Sequence, residues 1–302
     1  LAVRPETDYE DVLRLLDQTD GARAMIVLRG APGFSGVKPV KDLLDRADRG
    51  GCLSTIELLT VAGLLTSARR TRDYFNDKAG EKSAIDHLFH SLHGNRFLEE
   101  KIKSAILDED TIADTASPEL ADIRRHMRQA QAKSRQILQK IISSPSYSKI
   151  LQESLITQRD GRFVVPVKAE CKADMPGLIH DISSSGATVF VEPMGVVQAN
   201  NELIELQGKE KKEIQRILAQ LSADAAAHKD DIGWDYDALV LLDCIFARAE
   251  LSYRMEGIRP KIRKDGSVNL RRARHPLLDP ARAVPIDIQL GETFDTLVIT
   301  GP

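Results

Sequence analysis

The sequence predicts a mainly α-helical protein: a helical core, two long antiparallel helices that leave it and return, and a small β-rich insertion at their far end. Three observations carry this expectation. Residues 118–143 and 198–228 are strongly helix-forming runs rich in Arg, Lys, Gln and Glu, with too few large apolar side chains for core elements. Between them lie RFVVPVKAE, ADMPGLIHDIS and GATVFVEP, short Val-, Ile- and Phe-rich runs broken by Gly and Pro that read as strands. Outside the two polar helices, apolar residues recur at helical spacing.

In chain order, residues 8–28 place Val12, Leu13, Leu15, Leu16, Ala22 and Met25 at helical spacings, with Gly21 as a possible interruption. GAPGFSG is a loop, and Val40–Ala47 a short amphipathic helix stopped by Gly50 and Gly51. Ser54 with Glu57 three residues on forms the capping box of a helix running to about Phe75. Residues 82–107 are helical with a break near His93–Gly94. Ser117–Pro118 is a cap followed by proline at the first helical position. Pro166 marks its strand as an edge or a bulge. A very apolar helix follows at 236–253, and IRPKI, SVNLRRARHPLL, AVPIDIQL and DTLVITGP then read as strands and turns. The expected boundaries are 1–116 helical core, 117–150 outgoing helix, 151–197 β-rich tip, 198–229 returning helix, 230–256 core, and 257–302 a new β-containing domain.

Composition narrows the function classes. With 42% hydrophobic and 29% charged residues, the chain reads as folded and soluble. A net charge of −3 argues against a compact basic module that saturates many phosphates, while leaving room for a local basic patch. Cys52, Cys171 and Cys244 match neither a disulfide framework nor a zinc ribbon. His87, His90 and His93 share part of a helix face without a familiar zinc spacing. Adjacent acids such as Glu99–Glu100 point in different directions, and no nucleophile, base and orienting group stand together, so no catalytic residue is assigned. No apolar run approaches a membrane span and no signal peptide is present, which implies a cytoplasmic protein. The absent initiator methionine and the terminal Gly–Pro read as a chain trimmed at both ends.

Four segments carry a resemblance: GGCLSTIELLTVAGLL at 50–65, ITQRDGRFVVPVKAE at 156–170, PGLIHDISSSGATVFVEPMGVVQANNEL at 176–203, and ARHPLL with VPIDIQLG and LVITGP from 273 onward. Together, in this order and across nearly the whole chain, they resemble the second branch of the bacterial MutS family, which lacks the mismatch-sensing N-terminal domains. The resemblance implies that the polar helices are levers, the insertion a clamp, and residues 257–302 the first strands of a P-loop ATPase domain. In the family a strand ending Thr-Gly-Pro enters the Walker A loop, so Thr300, Gly301 and Pro302 would open that loop. The Arg-His-Pro element, Arg274–His275–Pro276, would support the nucleotide pocket, and Val284 and Pro285 would lie near the adenine. A plain turn is the alternative for the Thr-Gly-Pro and Arg-His-Pro elements, and at Val284 and Pro285 the spacing differs from the family's. The lysine and Ser/Thr of the loop are absent, so this chain is expected to be inactive and to bind ATP and Mg2+ poorly by itself.

For the interface, Arg159, Arg162, Lys168 and Lys172 surround the short β segment, with Asp160, Glu170 and Asp174 among them. Phosphate contact without base reading and a solvated mixed-charge surface both account for them. Ser183–Ser184–Ser185–Gly186 supplies either phosphate donors or a tight turn. A second basic zone comprises Arg124, Arg125, Arg128, Lys133, Arg135 and Lys140. It serves either phosphate contact or pairing with Glu202, Glu205, Glu210 and Glu213 on the returning helix. The resemblance implies a homodimer, held mainly by its ATPase domains. By the same resemblance it would act on ribosomal RNA in collided ribosomes, on branched DNA in recombination control, or on both, with an ATPase and a separate C-terminal Smr nuclease in the full-length protein. A scaffolding helical protein without nucleotide-driven activity is the rival reading.

Overall fold

A computed structural model describes residues 4–75, 82–279 and 281–300. Gly301 and Pro302, expected at the phosphate loop, lie outside the described residues. The chain divides into two compact units. One comprises Leu1–Pro39, Leu64–Asn95 and Asp230–Pro302; the other comprises Val40–Gly63 and Arg96–Lys229.

In the first unit, α1 (Tyr9–Arg29) starts at Asp8, whose carboxylate accepts the N–H groups of Glu10 and Asp11 at 3.0 and 3.1 Å. Gly21 does not interrupt it. A Cβ there would stand 3.1 Å from the Cβ of Ser83, so glycine serves close packing, not helix termination. Around the end of α3 (Thr55–Tyr74), α4 (Asp86–His90) and α8 (Lys229–Arg254) the core is aromatic. Phe75 stacks on Phe89 at 4.8 Å, and Phe246 meets Phe89 edge-on at 6.4 Å. The expected break at His93–Gly94 is a capped turn: buried Asp235 accepts the His93 and Gly94 N–H groups at 2.7 and 2.9 Å. The C-terminal segment forms an antiparallel pair of strands, Val268–Ala273 and Ile286–Leu290. IRPKI and Leu297–Thr300, expected as strands, carry no ladder here. An extended apolar run becomes a strand only by exchanging backbone hydrogen bonds with a neighbour, and none pairs with them among the described residues.

The second unit holds the long helices. α2 (Lys41–Asp48) precedes Ser54, and the capping box forms as expected: the Ser54 N–H donates to Glu57 at 2.8 Å and the Glu57 N–H to Ser54 Oγ at 3.4 Å. After α5 (Arg96–Ala105), Ser117 caps α6 (Pro118–Ile142) by accepting the Leu120 N–H at 3.0 Å. The outgoing helix ends at Ile142, as the helix-forming run 118–143 predicts, and turns continue to Lys149 and beyond. The returning helix, α7 (Met194–Ala227), begins four residues earlier than expected, directly after Pro193. α6 and α7 pack antiparallel. α6 turns Leu120, Ile123, Ala130, Ser134 and Leu138 inward, and α7 turns Val196, Ala199, Leu203 and Leu206 inward.

At the outer end of this pair sits a four-stranded antiparallel sheet of β1 (Thr157–Arg159), β2 (Arg162–Lys168), β3 (Gly177–Ile182) and β4 (Thr188–Pro193), in the order β1-β2-β4-β3. Asp160 and Gly161, at φ 47° and 76°, make the two-residue hairpin between β1 and β2, the Asp-Gly chemistry favoured for such turns. Phe163, Val165 and Val167 of β2 and Val189 and Val191 of β4 form one core with Leu138, Val196 and Leu203 of the helices. Pro166 lies inside the sheet, opposite Phe190, and not at an edge. Its carbonyl accepts the Gln152 N–H at 2.9 Å. N and O of one strand residue point to the same side, so its hydrogen-less nitrogen faces the step where β2's neighbour changes from β1 to residues 150–152, and not β4.

Where Ser117 meets α7, its hydroxyl donates to buried Glu213 at 2.6 Å, and Arg216 donates to the same carboxylate at 2.7 and 2.8 Å. Arg216, helped by Ser117 and opposed by burial, holds Glu213 at about 2, below its ordinary 4.5. A depressed folded-state pKa contributes stability that is present above the ordinary value and lost as pH falls through the folded one. The stability advantage of the native chain over Glu213→Gln is therefore expected to shrink between about pH 4.5 and pH 2. Urea midpoints of both proteins across that window check this; a gap that stays constant with pH contradicts it.

Candidate nucleic-acid interface

The basic residues at the tip do not form one open patch. Arg162 is turned inward: its guanidinium donates to both oxygens of Glu192 at 2.9 and 3.0 Å and to Asn201 at 2.8 Å. Glu192 is fully buried. It also receives His180 Nε2 at 2.6 Å and the Asn200 amide at 2.8 Å. Asn200 bridges to the backbone of Phe163 in both directions, at 2.9 and 3.3 Å. Arg159 lies 4.0 Å from the Phe190 ring centre and donates to Asp181 at 3.0 Å. Lys168 donates to the Lys149 carbonyl at 3.1 Å. Lys172 is exposed on the turn after β2 and has no ion-pair partner among the described residues. Of the four expected phosphate ligands, Lys172 is the one left uncommitted, and Arg162 is a structural ion pair. Ser183–Gly186 is the β3–β4 turn, closed by the Gly186 N–H on the Ser183 carbonyl at 2.8 Å.

The Glu192 cluster was not foreseen. Its elements were visible as an acid inside an apolar strand, TVFVEP, and two adjacent asparagines in a helix, Asn200–Asn201. Pairing itself depends on a β-bulge: β3 carries an extra residue between Ile179 and Asp181, which re-aims His180. Gly177 is needed beside it, since a Cβ there would stand 2.3 Å from the Glu192 carbonyl oxygen.

The second basic zone also divides. Arg124 is largely covered and bonds Asp114, Glu210 and the Ile112 carbonyl, each at 2.7 Å; it staples α6 to α7. Arg128 meets Asp114 and Arg125 meets Asp122, both at 3.0 Å and both well exposed. The expected pairing across the two helices reduces to Arg124–Glu210. Glu213 pairs with Arg216, and Glu205 with Lys209, on their own helix. Lys133, Arg135 and Lys140 stay on the solvent side.

At the other end of the chain, His275 Nδ1 accepts the Leu277 N–H at 3.2 Å in a turn, and Arg274 pairs with Glu256 at 2.6 Å. Val284, Pro285 and Thr300 are exposed. An adenine needs an apolar, water-excluding wall, and these open side chains supply none. The residues present do not by themselves fit a nucleotide. No group of three His, Cys, Asp or Glu that could hold a metal ion occurs among the described residues, and no described helix is long and apolar enough to cross a membrane.

Fold and site together define a helical-arm protein whose β-sheet tip is pinned to the arm by a buried, fully hydrogen-bonded carboxylate. No family model matches the chain. Among curated proteins it is 45% identical over 304 residues to endonuclease MutS2 of Ruminiclostridium cellulolyticum and 45% identical over 302 residues to endonuclease MutS2 of Pelotomaculum thermopropionicum, all of this chain being covered in each. It is 41% identical over 301 residues to endonuclease MutS2 of Clostridioides difficile, with 99% covered. The chain belongs to the MutS2 family and spans about 38% of the length of these relatives.

Proposed function

We propose that this chain is the lever and clamp of a cytoplasmic, dimeric MutS-like protein that grips ribosomal RNA in collided ribosomes, branched DNA, or both. The observation that carries the reading is mechanical: a compact sheet is held by buried ion pairs and a shared apolar core at the end of two packed helices. At about 1.5 Å per residue, the 25 residues of α6 span roughly 37 Å, so a small rotation at the base becomes a large displacement at the tip. ATP and Mg2+ bound elsewhere in the full-length protein would supply that rotation, and a separate nuclease domain would supply the cutting that the relatives' name describes.

Competition between collided ribosomes and a four-way DNA junction for the full-length protein, at matched ionic strength and with and without ATP, tests this. Preference for ribosomes makes the protein a translation-rescue clamp, and preference for the junction a recombination-control protein. Binding to neither removes the clamp reading.

A further inference from the structure

Between Ile123 and Gln152 the chain has seven Lys and Arg and no Asp or Glu. Most of this stretch is α6, and its helical phase sorts the charges. The buried positions Ile123, Ala130, Ser134 and Leu138 face α7. On the opposite, exposed side, Arg128 and Arg135 lie seven residues apart, as do Lys133 and Lys140. Residues seven apart on an α-helix fall within about 20° of the same direction. The outer face therefore presents two basic rows, each repeating after roughly 10.5 Å, separated by Gln129, Ala132 and Gln136. Lys133 and Lys140 have no ion-pair partner among the described residues, and of the acids of α7, Glu205 and Glu213 are engaged on their own helix, Glu210 with Arg124 and Asp224 with Lys101, while Glu202 is exposed.

We infer that the outer face of α6, through the Lys133–Lys140 row, is a contact surface for the phosphate backbone of double-stranded nucleic acid. This rests on the clamp reading and moves its main contact from the tip to the arm. Three features select the ligand. Two parallel cationic rows on a straight rod match a regularly spaced polyanion. Glutamines between them donate to phosphate or sugar oxygens without demanding a base sequence. And α6 contains no Phe, Tyr or Trp, whereas sequence-independent grip on single strands relies on stacking platforms.

The test is fluorescence anisotropy of a labelled duplex of about 20 base pairs with the native chain, Lys133→Gln/Lys140→Gln, and the charge-matched control Lys211→Gln/Lys212→Gln on α7, titrated between about 50 and 200 mM salt. Loss of two phosphate contacts lowers the slope of log affinity against log salt by about 1.8, and the control leaves it unchanged. All four positions are exposed, and matching circular-dichroism melts establish that the variants remain folded. An unchanged slope in the α6 variant, an equal drop in the control, or equally tight binding of a single strand of the same length overturns the inference while leaving the clamp reading standing. If the native chain binds no duplex and the full-length protein binds neither ribosomes nor junctions, the clamp reading fails with it.

Discussion

Arg162→Ala is expected to destabilise the tip by about 3–5 kcal/mol, the usual cost of stripping one partner from a buried ion pair. The figure follows from the asymmetry of the pair. Arg162 keeps about a fifth of its side chain in water, and Glu192 keeps none. Truncating the arginine therefore strands a carboxylate that water cannot reach, with His180 and the Asn200 amide as its remaining donors. Arg162→Lys restores charge but not the three-way fork onto Glu192 and Asn201, so it should recover only part of the loss. Hydrogen exchange of β3 and β4 against that of α5 separates tip opening from global unfolding. Protection in the strands that is unchanged by Arg162→Ala would show that Glu192 is held without it.

The second large effect is expected from Leu138→Ala, at about 2–5 kcal/mol. Leu138 is fully buried and belongs to the cluster that joins α6, α7 and both central strands. Its removal leaves a cavity between parts that differ in their freedom to relax: the sheet is tied to α7 through Asn200 and cannot slide in to fill it. A cost near the upper end is therefore expected. Ala130→Gly, a much smaller deletion on the same seam, should act mainly through helix propensity, at about 1 kcal/mol. Urea denaturation of both variants measures the difference, and a Leu138→Ala cost below that of Ala130→Gly would mean the seam is loosely packed.

Much of this architecture was legible in the sequence because it rests on local rules. The Ser54–Glu57 capping box, the Ser117–Pro118 start, the break at His93–Gly94 and the strand-helix alternation between 118 and 228 are each set by a few neighbouring residues. What was not legible depends on partners far apart in the chain. By residue type Pro166 marks an edge or a bulge, because the sequence does not show that the neighbouring strand changes beside it. Leu297–Thr300 has the composition of a strand and lacks a neighbour. Arg162 and Arg124 look like surface cations by residue type; only the fold brings Glu192 and Glu210 to them. Lys133 and Lys140 are the reverse case, since their exposure follows directly from helical phase.

The ties between α6 and α7 are not spread evenly. Ser117–Glu213 and Arg124–Glu210 fasten one end, and the Ser134–Asn200–Glu192 chain fastens the other. Two rods that can slide past each other bend easily, each about its own axis. Pinned at both ends they behave as a laminated beam, in which bending must stretch the hydrogen-bond ladder of one helix and compress that of its partner. Such an arm delivers torque with little elastic loss, and the place to soften it is the pin rather than the span.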